Sequence, residues 1–272
     1  MGLLILAAIL VAVLGWTLRD ALFTGWRRAR LRARPFPHEW REYLRRRVPY
    51  VRALPADLQL QLKKHIQVFL AEKPFVGCDG LEITDEMRVT IAAQACLLLL
   101  NRRTDYFPNL TEVLVYPGRF IVDREVPDGI GLARRDRSVL AGESWASGQV
   151  ILSWDDAVAG AEHADDGFNV VIHEFAHQLD QENGAANGAP FQRTRSRRAR
   201  WAAVLRREYA ALQSRVAGGQ PSLIDAYGAT NPAEFFAVVS EVFFERPREL
   251  AAEHPDLYAE FSRFYRVNPL SW

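Results

Sequence analysis

Apolar residues recur at three- and four-residue steps over much of this chain. Leu58, Leu62, Ile66, Phe69 and Leu70 follow Pro55 at that spacing, and Ile91, Ala95 and Leu98 follow Thr84. Two core helices are predicted there, the first opened by proline and the second capped by the threonine hydroxyl. The period then shortens. The stretch from Val113 to Asp123 holds two β-rich runs around a Pro117-Gly118 turn, and Gln149 to Trp154 adds a third, which together predict a small sheet. Helical spacing returns from about Gly167 to Glu182, with Asp165 or Asp166 as candidate cap, and again over Ser196 to Val216, Pro232 to Glu245 and Pro255 to Tyr265. Helices, a small sheet and then more helices make an α+β fold. A doubly wound parallel fold is disfavoured because strands and helices do not alternate regularly.

The first 18 residues break this pattern, running apolar and uncharged from Met1 to Leu18. As a helix they would reach roughly 27 Å, marginal for crossing a bilayer. No charged segment precedes the run and no Ala-x-Ala-like site follows it, which favours an uncleaved anchor over a removed signal peptide. Arg19, Arg27, Arg28, Arg30, Arg32 and Arg34 come next and, by the positive-inside tendency, would hold everything after them in the cytoplasm, with Trp16 and Trp26 at interfacial depth. The expected organisation is a hydrophobic N-terminal helix over residues 1–24, a basic linker over 25–37 that ends at the Arg34-Pro35-Phe36-Pro37 break, and one domain over 38–272.

Composition sharpens the picture at two points. The 272 residues carry a formal net charge of only +1, yet residues 1–52 hold 11 Arg against three acids, a local +8 that leaves −7 for the rest. That basic arm adjoins an apolar run and no nucleic-acid recognition motif follows it, so anionic inner-membrane lipid is the expected partner rather than nucleic acid. The two cysteines, Cys78 and Cys96, have no paired spacing. Neither a disulfide framework nor a Cys-ligated zinc is expected, and a reducing compartment fits.

The chemistry concentrates in Val170-Val171-Ile172-His173-Glu174-Phe175-Ala176-His177-Gln178-Leu179-Asp180, a His-Glu-x-x-His motif inside a helical stretch. Four residues advance a helix slightly more than one turn, so both imidazoles leave one face and can bind a single Zn²⁺. Glu174, offset beside them, suits a carboxylate that takes a proton from the attacking water and returns it to the leaving amine. A catalytic zinc needs a third protein ligand. The metzincin solution fails, because it requires Gly where Asp180 stands and His where Asn183 stands. His163, Asp180, Glu234, Glu241 and His254 remain. Glu234 and Glu241 share a helix face two turns apart, so one can ligate while the other supports. Glu234 fits a second role equally well: Asn231 as cap, Pro232 at the first helical position and Glu234 at the third resemble a capping box. Asp180, one turn beyond His177, is a candidate to orient that imidazole, or to bond backbone at the helix end.

Several segments are distinctive: Tyr116-Pro117, Phe120-x-Val122-Asp123, Gly142-x-Ser144-Trp145, the motif helix through Asp180, Asp225-Ala226-Tyr227 and Pro232-Ala233-Glu234. On these the chain, from roughly residue 40 to 270, resembles the Mlc titration factor A family of bacterial zinc peptidases, whose metal site is similar to that of anthrax lethal factor. The resemblance implies a zincin-like domain of gluzincin type. It makes Glu234 the third zinc ligand, Glu174 the catalytic carboxylate and Tyr227 a donor to the tetrahedral oxyanion. It also implies aminopeptidase-like hydrolysis of a peptide or protein substrate, and a transcriptional repressor partner tied to sugar uptake. In related zincins the strand ahead of the motif helix is the edge on which an extended peptide lies, which nominates Val150, Ile151, Leu152 and Ser153 for substrate binding. The apolar N-terminus and its arginine flank are a departure from the soluble founding member.

Overall fold

A computed structural model of the chain describes Gly2, Leu6, Arg19 and residues 22–127, 133–140, 142–145 and 148–272. Helix α1 spans residues 22–33. It is followed by α2 (His38–Arg47), α3 (Ala56–Glu72), β1 (Phe75–Gly77), α4 (Asp85–Leu97) and β2 (Glu112–Tyr116). A hairpin of β3 (Phe120–Pro127) and β4 (Ala133–Leu140) comes next, then β5 (Gly142–Trp145), β6 (Gln149–Ser153), α5 (Trp154–Glu162) and α6 (Val170–Asp180). The chain closes with α7 (Arg195–Ala217), α8 (Pro232–Glu245), α9 (Pro247–Glu253) and α10 (Pro255–Tyr265). The fold is α+β and mostly helical.

Four strands form one sheet in the order β1-β2-β6-β5. The first three run parallel, with Val113 opposite Val150 and Val115 opposite Leu152, and β5 closes the sheet antiparallel to β6. In β2 burial alternates, whereas Val150, Ile151, Leu152 and Ser153 of β6 are all buried, the texture of a central strand covered on both faces. This corrects two expectations. The runs on either side of Pro117-Gly118 do not share a sheet: β2 already has β1 and β6 as neighbours, so β3 pairs with β4 in a separate hairpin, Phe120 opposite Leu140. And β6 is not an edge, because its backbone is taken up by β2 on one side and β5 on the other. The edge strand nearest the motif helix is β5.

The helices cover this sheet through one continuous apolar core. Leu62, Ile66 and Phe69 of α3, Ile91 and Ala95 of α4, and Phe175 of α6 meet in it, with Phe69, Phe107 and Phe175 packed edge to face. Thr84 caps α4 by accepting from the Met87 N–H. A second aromatic cluster joins α7, α8 and α10, where Trp201 stacks on Phe261 at 5.3 Å between ring centroids and touches Phe236 and Phe264.

The basic stretch 25–37, read as a linker, is helical to residue 33 and tied to the body. Arg28 donates to both Glu72 carboxylate oxygens at 2.8 Å and to Asp105, while Leu31 packs on the core and Gln67 Nε2 donates to the Arg34 and Pro35 carbonyls. A guanidinium that finds two carboxylates folds its segment onto the domain instead of leaving it solvated. The expected anchor over residues 1–24 lies almost wholly outside the described residues; among those described, no helix is long and apolar enough to cross a membrane.

Candidate metal centre

Helix α6 carries the motif, and its start is set by Asn169 rather than by Asp165 or Asp166. Asn169 Oδ1 accepts from the Ile172 N–H at 2.9 Å, while Asp166 Oδ1 accepts from the Phe168 N–H, ahead of the cap. An amide at this position both caps and donates, and Asn169 Nδ2 uses the second ability, reaching the Gly160 carbonyl and Glu245 Oε1 at 3.0 Å each. The opposite face of α6 is apolar, so Val171, Ile172, Phe175 and Leu179 lie in the core while His173 and His177 turn outward toward α8.

Helix α8 packs along α6 and supplies the third group. Asn231 Oδ1 accepts from the N–H groups of Ala233 and Glu234, so the helix start is capped as the sequence suggests. The Glu234 side chain does not turn back to complete a box. Its Oε2 lies 3.0 Å from His173 Nε2 and 3.3 Å from His177 Nε2, and the two imidazole nitrogens are 3.2 Å apart. Backbone and side chain of one residue thus serve different ends, which is why spacing alone left both readings open.

These three separations test the fit of a metal ion. Ligand atoms held tetrahedrally at about 2.0–2.1 Å from zinc stand roughly 3.3 Å from one another. The His173, His177 and Glu234 atoms match that triangle, and they are the grouping of potential ligands that converges among the described residues. A carboxylate braces His173 from behind. Its Nδ1 lies 2.8 Å from Glu241 Oε1, and since a carboxylate only accepts, the proton sits on Nδ1 and the lone pair on Nε2 faces the triangle. His177 Nδ1 is buried with no hydrogen-bond partner among the described residues.

The electrostatics point the same way. Burial works against ionising Glu234, but hydrogen bonds and charge from both imidazoles override it and hold the carboxyl well below the usual carboxylate range. Burial likewise works against a charged His173, and the neighbouring carboxylates of Glu241, Glu234 and Glu174 overcome it, raising that imidazole. Burial pushes Glu241 up, and Glu245 up to about 8. A carboxylate held ionised between two imidazoles in a largely buried cluster is a donor set that suits a divalent cation.

The remaining sequence-derived residues fall into place unevenly. Glu174 is buried on α6 beside the triangle. Tyr227 sits on the single turn Ala226–Ala229, half exposed, with its ring centroid 6.0 Å from that of His173, so it is not a core tyrosine. Glu241 contacts His173 directly. Asp180 makes no hydrogen bond to His177 among those described; its Oδ2 accepts from the N–H groups of Asn187 and Gly188 at 2.7 and 2.6 Å. The backbone bond at the helix end is thus present, while Asp180 Oδ1, like His177 Nδ1, is buried with no hydrogen-bond partner among the described residues. Val150, Ile151, Leu152 and Ser153 are buried inside the sheet. Of the other candidate ligands, His163 Nδ1 lies beside the Ala159 carbonyl and His254 Nδ1 beside Glu208 Oε2, away from the triangle. Sequence reasoning missed Asn169 and Glu245; an asparagine immediately ahead of Val170 was the available signal for the first, while the second needed the pairing of α6 with α8.

Comparison with known proteins agrees with this geometry. The family model of the glucose-regulated metallo-peptidase M90 matches residues 23–266. The Synechocystis sp. protein slr2042 is 41% identical over 269 residues, covering 98% of this chain and 97% of its own. Mlc titration factor A of Enterobacter sp. is 38% identical over 226 residues, and that of Klebsiella pneumoniae 39% over 227, each covering 82% of this chain and 84% of the relative. Holding a His-His-Glu triangle on two packed helices and matching the family model from α1 to the end of α10, this chain belongs to the glucose-regulated metallo-peptidase M90 family.

Proposed function

We propose that the protein is a zinc-dependent peptidase that hydrolyses peptide bonds in aminopeptidase-like fashion. The observation that carries this reading is the triangle of His173 Nε2, His177 Nε2 and Glu234 Oε2 with Glu174 beside it on the same helix as the histidines. Zinc held there would lower the pKa of water and polarise the scissile carbonyl. Glu174 takes the proton from the attacking water and passes it to the leaving amine, a dual role that a buried carboxylate next to the reacting atoms can perform. Tyr227 donates its phenolic hydrogen to the oxyanion as charge develops. The edge strand β5, antiparallel to β6 and against α6, offers its outer side to an extended substrate, taking over the role first assigned to Val150 through Ser153.

Around this chemistry we place a cytoplasmic catalytic domain tethered to the inner membrane by the N-terminal segment. The match to slr2042 over 98% of this chain takes in that apolar run. A second reading, sequestration of a transcriptional repressor or membrane partner with little hydrolysis, draws on the name that the relatives carry, Mlc titration factor A. Glu174→Gln separates the two. With zinc content unchanged, cleavage of a mixed peptide library by the variant is expected to fall by about 10²-fold or more. Undiminished cleavage, with contaminating protease excluded, would remove Glu174 as the base; repressor capture and an intact cell phenotype in the same variant would favour sequestration.

A further inference from the structure

A cavity of about 190 Å³ opens beyond the C-terminal end of the motif helix, lined by Arg102, Arg103, Arg193, Arg197, Arg263 and Arg266 with a single acid, Glu182. The lining therefore carries a formal charge of +5. Among the described residues only one of the six guanidiniums has an ion-pair partner, Arg263 with Glu260 at 2.6 Å. Two buried donors in this lining lack an acceptor among the described residues, Arg102 Nη1 and Gln192 Nε2. Arg102 is also fixed in place, its guanidinium stacked over the Phe264 ring at 4.4 Å from the centroid. Burial pulls Arg102 down from its ordinary value against the opposing charge of Glu182.

Unmet donors on residues that line a strongly cationic hollow are costly unless an acceptor arrives, more so for a charged group than a neutral one. We propose that this cavity binds a small phosphate-bearing anion, gripped by Arg102 Nη1 and Gln192 Nε2 and neutralised by the exposed guanidiniums around them. Phosphate fits better than a lone carboxylate because it offers several acceptor oxygens to forked guanidiniums and carries up to two charges per group. The volume lies below the roughly 300–1,000 Å³ of pockets for drug-sized ligands, which suits a compact molecule. The site is separate from the metal triangle and does not depend on peptidase activity.

Calorimetric titration of the full chain in detergent with inorganic pyrophosphate and inorganic phosphate, at fixed ionic strength, tests it. Saturable 1:1 binding is expected, weakened about tenfold or more by Arg102→Gln, in line with loss of a charged hydrogen bond. Because Arg102 is partly interior, the exposed pair Arg193→Ser and Arg197→Ser provides the second test. Each should weaken binding about threefold or more, while Arg206→Ser, an exposed charge elsewhere on α7, should leave it unchanged. Absence of saturable binding overturns the proposal. So does an equal loss in all four variants, which would mark general attraction, or a single-stranded oligonucleotide that binds more tightly than pyrophosphate, which would mark a nucleic-acid surface.

Discussion

Two hydrogen bonds end on the Glu241 carboxylate, one from His173 Nδ1 at 2.8 Å and one from the Asn169 N–H at 2.6 Å. Both partners donate, so both oxygens must accept, and an amide in place of the carboxylate presents one donor too many. Glu241→Gln therefore turns an N–H toward another N–H or abandons His173. Metal affinity is expected to drop by about 10–100-fold, measured by competition with a chromophoric chelator; affinity equal to that of the unaltered chain would show that His173 needs no brace. Much of this was legible at the level of single residues. The i, i+4 histidines and the seven-residue step from Glu234 to Glu241 put the four groups on facing helices. Their division of labour was not legible, because it depends on how far α8 slides along α6, a matter of packing between segments far apart in the chain. Glu234 shows the limit plainly, since a capping residue and a ligand look alike until the side chain is seen to leave the helix start.

Between elements, Gly188 joins the motif helix to α8. Its N–H is held by Asp180 Oδ2, its carbonyl accepts from Trp201 Nε1 at 2.9 Å, and a Cβ there would stand 2.2 Å from the Pro232 carbonyl oxygen. With φ at +73°, the position favours glycine on conformational grounds as well. The loop thereby presses on the first turn of α8, the same turn that carries Glu234. Gly188→Ala is expected to cost about 1–3 kcal/mol in denaturant unfolding and to lower metal retention together with stability. An unchanged midpoint would mean the loop yields freely. Strand order, by contrast, was only partly written in the pattern. The unbroken apolar run Val150-Ile151-Leu152 is the mark of a strand covered on both faces, and it argued against an edge. What the run lacks is any record of its neighbours, and the short, less apolar segment Gly142–Trp145 could take the outer place only through its pairing with β6.

For the molecule as a whole, two groups of forces act at the N-terminal side. His65 is pulled down to about 4 by burial and by the nearby charge of Arg32, with Tyr106 Oη at 3.0 Å from its Nδ1. A base depressed on folding contributes its full stabilisation above the unfolded value of about 6.5 and loses it as pH falls toward 4. The acid limb of the stability curve should steepen across that window by about 1.4 kcal/mol per unit of depression at most, and His65→Gln should flatten it; an identical limb in the variant removes His65 as the cause. The second force is the apolar run ahead of α1. Helix α1 belongs to the body through Arg28, Glu72 and Asp105, so a deletion that reaches residue 34 would disturb the fold along with any anchor. Removing residues 1–21 alone separates the two effects. If the run tethers the domain, the full chain sediments with membranes and the shortened chain stays in the supernatant with the same thermal midpoint, because none of the contacts of Arg28, Leu31 or Gln67 is lost. A shortened chain that still sediments would place membrane affinity in the arginines of α1 instead, and a full chain found in the supernatant would end the tether altogether.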